Sequence, residues 1–368
     1  MQYNHVCIES FGYTLPDEIV TSEEIEQCLA PLYERLRLPE GRLELMTGIR
    51  ERRFWHPGTL PSEKSVESGE KAIRAAGIDR SEIGAMIHGS VCRDFLEPAT
   101  ASGVHHRLGL PRDCMIYDVS NACLGIMNGM VQLANMIELG QIRAGLVVGS
   151  EGSRQLVETT IDTLNRDTSL SRNDIKTAIA SMTIGSASCA VILTHRDISQ
   201  TDNRLLAVAS RANTEFHDLC HSGHDEAGSG MTPLMQTNSE RLMHEGVATA
   251  VETFKEFLNE TGWSNDDIDK SVGHQVGLGH RKLLLDELGI DPAIDYTTVE
   301  WLGNTGSAAL PVTMAIGLER EFIKPGDRLG MFGIGSGINC LMMAAEWQRT
   351  LVSSNLDANV PEAMTVDG

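Results

Sequence analysis

A chain of 368 residues with 41% hydrophobic and 22% charged residues has the make-up of a globular protein, long enough for two lobes. Its formal net charge of −21 argues against nucleic acid, which needs basic surface, and no apolar run approaches the roughly 20 residues of a membrane span. Met1 to Cys7 has neither the basic region nor the apolar core of a signal peptide, and the eight cysteines show no CxxC pairing, so reduced thiols in a cytoplasm are expected.

In chain order, Ser65 to Ala76 reads as a helix and Ala85 to Val91 as a strand. A second extended stretch, Met115 to Val119, stops at Ser120-Asn121, small residues turn the chain at Ala122-Cys123, and a helical pattern opens at Leu124-Gly125. Cys123 therefore sits where a strand gives way to a helix, a place where unpaired amides and the positive end of the helix dipole favour a thiolate. The alternative is a buried, inert cysteine. Ala144 to Gly149 and Cys189 to Leu193 read as further buried strands. From about Ser153 to Glu240 the chain turns polar and irregular, most of all at Gly223 to Gly230, which suits either a lid or a solvated loop. In this stretch His217, Cys220, His221 and His224 have the spacing of one helix face, as zinc ligands would. No second ligand pair accompanies them, and no metal is assigned.

Strands alternating with helices imply an α/β protein with its sheet covered on both faces. The two halves resemble each other. Asn121 to Gly125 opens a helix that leads to the strand Leu146 to Gly152; Asn304 to Ala308 opens a helix (Val312 to Glu321) that leads to Arg328–Gly337. A duplicated unit is expected, with residues 1–198 carrying the cysteine, 199–368 forming the second half, and a frayed tail after about Leu351.

A nucleophilic cysteine needs a base or cation and donors for an oxyanion. His274 follows a short apolar stretch and precedes the helical run Lys282 to Leu288, and so lies at a strand edge as Cys123 does. Asn304 lies at the turn of the second half that matches the cysteine turn; its amide suits an oxyanion or a helix cap. Arg50, Arg52, Arg53, Arg281 and Lys282 are the cations available for an anionic ligand, and each also reads as ordinary surface charge.

Asn121-Ala122-Cys123-Leu124-Gly125, Gly273-His274-Gln275 and Gly303-Asn304-Thr305-Gly306-Ser307-Ala308 together resemble the Cys-His-Asn triad of beta-ketoacyl-[acyl-carrier-protein] synthase III enzymes, condensing enzymes of the thiolase superfamily. The resemblance includes Thr47 to Arg53 and the Gly333–Gly337 run. It implies a thiolase-like α/β fold of two duplicated halves in αβαβα layers, with the amides of Cys123 and of the Ser336-Gly337 turn forming an oxyanion hole. Two departures stand out. His274-Gln275-Val276-Gly277 replaces the usual His-Gln-Ala-Asn, and Leu45-Met46 stands where those enzymes tend to place a tryptophan against the CoA adenine.

Ser90 to Thr100, with Leu96-Glu97-Pro98, instead resembles the OleA family of head-to-head acyl-CoA condensing enzymes in long-chain olefin biosynthesis. That resemblance implies a homodimer in which Glu97 crosses into the partner's site as a base, acyl-CoA substrates contacted by Arg50, Arg281 and Lys282, and no cofactor. The chemistry agrees: joining two plain acyl thioesters requires removal of an α-proton, whereas a malonyl donor makes its carbanion by losing CO₂. By itself, a carboxylate just before Pro98 also reads as a helix-start group that favours the dipole. The expected activity is a non-decarboxylative Claisen condensation of two acyl-CoA thioesters to a β-keto acid through acyl-Cys123. The alternatives are a decarboxylating synthase III and a non-catalytic thiolase-fold binding partner.

Overall fold

The computed structural model describes residues 1–222 and 235–356. The first half runs β1 (Val6–Thr14), β2 (Glu18–Thr21), α1 (Ser22–Cys28), α2 (Ala30–Leu36), α3 (Arg42–Thr47), β3 (Glu51–Phe54) and α4 (Pro61–Ala76). It continues with β4 (Ile83–Gly89), α5 (Thr100–Leu108), β5 (Met115–Val119), α6 (Gly125–Glu138), β6 (Ala144–Glu151), α7 (Arg154–Arg166), α8 (Arg172–Met182) and β7 (Ala187–His195). The second half begins with β8 (Arg204–Ala212), β9 (Cys220–Ser222), β10 (Met235–Thr237), α9 (Ser239–Thr261), β11 (Lys270–Gly273) and α10 (Leu278–Leu288). It closes with β12 (Asp295–Tyr296), α11 (Val299–Leu302), α12 (Ala309–Glu319), β13 (Arg328–Gly335), β14 (Asn339–Glu346) and β15 (Val352–Ser353).

Strand pairing shows the duplication directly. In the first half the order is β1-β7-β6-β4-β5, antiparallel for the first two pairs and parallel for the last two. In the second it is β8-β14-β13-β11-β12 with the same succession of directions. The halves meet at β1 and β8, through the pair Cys7–Arg204.

The helices separate into layers by what each face must bury. α12 is buried along Ala309 to Leu318, and it shares one apolar cluster with α6 and with strands of both halves, so these two helices form a central layer. A helix apolar all round belongs in such a place. α4 and α5 cover the first half's outer face around Ala72, Val104 and Ile192; α9 and α10 cover the second half's around Phe254, Phe257 and Phe332. α6 lies so close to the sheet that only glycines fit: a side chain on Gly89 would stand 2.5 Å from the Gly125 carbonyl, and one on Gly125 2.9 Å from Gly89. The same approach brings the Cys123 turn to the strand ends.

Three expectations are corrected. The stretch after Ser153 is not irregular: α7, α8, β7 and β8 occupy most of it up to Ala212, and α7 and α8 pack with α1, α3 and Phe54 in a satellite core. The Gly223–Gly230 segment lies outside the described residues. Residues after Leu351 are not simply frayed, because Val352–Ser353 pairs with Phe11–Gly12 of β1. Finally, Gly333 to Gly335 is β13 itself, and only Ser336 to Ile338 make the turn into β14.

Candidate active site

The parallel strands β4, β5 and β6 end at Gly89, Val119 and Glu151, and β11 ends at Gly273 next to β13. In open parallel sheets ligands gather beyond these C-terminal ends, and all of the predicted site turns lie here.

The cysteine turn is a tight elbow. Ala122 adopts φ 46°, a left-handed conformation rare for a residue with a side chain, and the Leu124 amide donates to the Asn121 carbonyl at 2.9 Å before α6 begins at Gly125. Such local strain is common where a nucleophile is held at a strand-to-helix turn. Asn121 donates to Asn128 Oδ1 at 2.7 Å and accepts from Asn339 Nδ2 at 3.2 Å, which ties the elbow to the turn between β13 and β14. Asn339 Nδ2 also donates to the Ser336 carbonyl, and a side chain on Gly335 would stand 3.6 Å from the Cys123 nitrogen. The structure therefore brings the Ser336-Gly337 turn to the cysteine.

The expected thiolate is not favoured. Burial pushes the Cys123 thiol up to about 12, aided by the negative charge of Glu151 and by the nearby Cys220. Desolvation outweighs the helix dipole, which contributes about 1 kcal/mol or less at a helix end. Cys123 rests as a thiol.

His274 closes β11, its amide donating to the Phe332 carbonyl at 3.0 Å. The turn behind it is locked by Gln275, which donates to the Gly273 carbonyl and accepts from Thr297 Oγ1 and the amides of Thr298 and Val299. Gly277, one of the departures noted above, allows close approach: a side chain there would meet the Thr47 carbonyl at 3.0 Å. Both ring nitrogens of His274 are buried without a hydrogen-bond partner among the described residues. Burial and the neighbouring His280 lower its pKa to about 3, so the ring is neutral and carries one N–H to give. An unpaired buried donor costs free energy until a substrate oxygen satisfies it.

Asn304 sits in a turn fixed from both sides: its amide donates to Thr183 and its carbonyl accepts from Gly185, both at 2.9 Å. Asn304 Oδ1 accepts from the Gly306 amide at 3.0 Å, which orients the side chain and leaves its NH₂ group for other use. The cap-like and donor roles are thus compatible. Three residues on, the Ser307 hydroxyl oxygen lies 2.9 Å from the Gly89 carbonyl, which sets this turn against the end of β4.

Glu97 is exposed in a loop between β4 and α5 and makes no hydrogen bond or ion pair among the described residues. It is not the cap of α5. That helix starts at Thr100, and Asp118 of β5 accepts from the amides of Thr100 and Ala101, both at 2.8 Å. Val91, Phe95 and Leu96 of the same loop are also exposed, and the loop follows β4, next to the edge strand β5.

The predicted cations divide. Arg50 and Lys282 are exposed on neighbouring segments, since Gly48 packs on Leu278. Arg281 is committed elsewhere: its guanidinium holds the buried Asp295 at 2.7 Å and donates to the Pro292 carbonyl. Arg52 is fully buried on Ser22 and the Met182 carbonyl, and Arg53 donates to Pro16. An apolar cavity of about 260 Å³ opens among Leu29, Leu32, Tyr33, Met46, Ile179 and Met182, next to the Thr183 carbonyl that holds Asn304.

The helix-face arrangement of His217, Cys220 and His221 is overturned. Cys220 and His221 are consecutive in β9, whose alternation sends them to opposite sides. His224 lies outside the described residues, and among those described no group of three or more His, Cys, Asp or Glu could hold a metal.

Three groups had been missed: Glu151, His280 and the Cys220 thiol beside Cys123. Glu151 had a visible signal, a carboxylate at the end of an otherwise apolar strand. The other two follow from contacts between distant segments.

Residues 58–216 match the model of the thiolase N-terminal domain, and residues 258–347 that of the 3-oxoacyl-[acyl-carrier-protein] synthase III C-terminal domain. An acyl-CoA:acyl-CoA alkyltransferase of Shewanella oneidensis is 41% identical over 351 residues, covering 94% of this chain and 100% of that protein. Its counterpart in Xanthomonas campestris is 33% identical over 347 residues, with 94% and 100% covered. A crystal structure of a cysteine-to-serine variant of Xanthomonas campestris OleA with bound lauric acid and lauroyl-CoA superposes with a TM-score of 0.88, at 32% identity, over 94% of this chain and 100% of that one. The fold is thiolase-like, and the chain belongs to the acyl-CoA:acyl-CoA alkyltransferase (OleA) family of condensing enzymes.

Proposed function

We propose that this protein is an acyltransferase that joins two acyl-CoA molecules head to head, without decarboxylation, in long-chain olefin biosynthesis. The single observation that supports it best is Glu97: a carboxylate with no hydrogen bond or ion pair among the described residues, on an exposed loop next to the edge strand. A base is what this condensation needs beyond the machinery of a decarboxylating synthase.

In the reading, Cys123 gives up its proton and attacks the thioester carbonyl of the first acyl-CoA. The amides of Cys123 and Gly337 hold the tetrahedral oxyanion, and CoA leaves as the thiol. Glu97 of the partner subunit then removes the α-proton of a second acyl-CoA. The neutral His274 ring and the Asn304 amide donate to the thioester oxygen on which enolate charge develops; a ring held at about 3 suits a donor rather than a base. The carbanion attacks acyl-Cys123, the thiol is released, and water hydrolyses the β-ketoacyl-CoA to a β-keto acid. The apolar cavity beside Met182 suits an acyl chain, and Arg50 and Lys282 suit CoA phosphates. The reading needs no metal or redox cofactor. It places the enzyme as a homodimer across the β5 edge, in a cytoplasm that keeps Cys123 reduced.

The test is Glu97→Ala. Condensation should fall by about 10²–10⁴-fold, the usual contribution of a positioned base, while intact-mass analysis still shows an acyl adduct on Cys123. A variant that condenses at the wild-type rate removes the base from the reading; a wild type that forms no adduct removes the nucleophile.

A further inference from the structure

Glu151 is the carboxylate that the mechanism above leaves unused. It ends β6 at 4% exposure, and its partners come from two distant segments. From the Glu97 loop, the Val91 amide donates at 3.0 Å and the Cys92 amide at 3.2 Å. From the Asn304 turn, the Ser307 amide donates at 3.2 Å and the Ser307 hydroxyl at 2.5 Å. Gly306 leaves room for the carboxylate, since a side chain there would meet its Cγ at 3.0 Å. The four donors are all neutral, and no salt bridge reaches Glu151 among the described residues.

A buried carboxylate without a cation costs several kcal/mol of desolvation, so its retention calls for a reason. Activation of the nucleophile is not that reason, because the charge works against a thiolate at Cys123. Acceptor capacity is. Oε1 alone accepts from both segments, the Val91 amide and Ser307, while Oε2 accepts from the Cys92 amide. Removing the side chain beyond Cβ therefore releases both loops at once.

We infer that Glu151 is a positioning residue for carbon–carbon bond formation, setting the Glu97 loop and the Asn304 turn at fixed spacing from the end of β6. The inference rests on the roles proposed above for Glu97 and Asn304. Both act on the second acyl-CoA, and neither acts in the acylation of Cys123. The other end of the Glu97 loop is fixed by Asp118 at the start of α5. Loss of the Glu151 anchor therefore frees the end of the loop nearest β4.

The experiment is Glu151→Ala, which removes every acceptor of the anchor, read in two half-reactions. Cys123 acylation in a single turnover should stay within about threefold of wild type, while condensation falls about 10- to 100-fold, the scale of an ångström of misplacement. The pH profile of Cys123 alkylation should also move to lower pH, since a negative charge has been removed. Equal losses in both half-reactions, or no loss in condensation, would overturn the inference.

Mixed dimers add a second reading. A wild-type subunit paired with one carrying Cys123→Ala and Glu151→Ala has one usable cysteine, and the incoming Glu97 comes from the subunit without Glu151. It should condense about tenfold or more slowly than the dimer whose second subunit carries Cys123→Ala alone. Equal rates would exclude action through the Glu97 loop. The control pairs a Cys123→Ala subunit with a Glu97→Ala subunit. Activity there supports Glu97 acting across the dimer. Its absence contradicts that proposed role, and the homodimer half-reactions still decide the role of Glu151.

Discussion

At the scale of single residues, the site was legible where chemistry depends on residue type at a turn. Cys123 and His274 stand just after strand ends, and Asn304 in the turn after α11, each where an apolar run is broken by small residues. Their electrostatics were not legible. A strand-to-helix elbow suggests a thiolate, yet burial and Glu151 push the thiol up to about 12. Below that value the reactive form grows with pH, so iodoacetamide alkylation of Cys123 should accelerate through pH 9 without levelling off. A plateau between pH 7 and 8 would show a depressed thiol and contradict this account of the elbow. Arg281 and Arg52 carry the same lesson: charge at a suitable sequence position says nothing about whether Asp295 or Ser22 already holds it.

At the scale of elements, periodicity identified the strands that flank the site and the duplication of the two halves, but missed regular structure in polar sequence. α7 has a polar exterior and buries only Val157, Thr160 and Leu164, which leaves little apolar signal to read. β9 is three residues long, and the His-Cys spacing around it looks helical only when the strand is unknown. The contact of α6 with the sheet is set by Gly89, Gly125 and Gly149, three positions whose closeness only the fold reveals. Gly89→Ala should drive a methyl group into the Gly125 carbonyl of α6 and cost about 1–3 kcal/mol, as overpacking does. Thermal unfolding would register this as a Tm lowered by several degrees; an unchanged Tm would mean that α6 moves freely away from β4 and β6.

At the scale of the whole molecule, the acidic chain presents two exposed cations, Arg50 and Lys282, near the approach of α3 to α10, and the proposed function assigns them to the CoA phosphates. The exposed apolar residues at the opposite, β5 edge supply the surface on which Glu97 is carried. Phe95→Asp should yield monomers in sedimentation and abolish condensation while sparing Cys123 acylation; a variant that stays dimeric and active would place the interface elsewhere. The central claim is that two plain acyl thioesters are joined with neither losing a carboxyl group. It is tested most directly by supplying one acyl-CoA, isotopically labelled at its carbonyl carbon, with no malonyl thioester. The account predicts a β-keto acid carrying two labelled carbons, with two molecules of free CoA released for each one formed. No product until malonyl thioester is added would contradict it and favour a decarboxylating synthase.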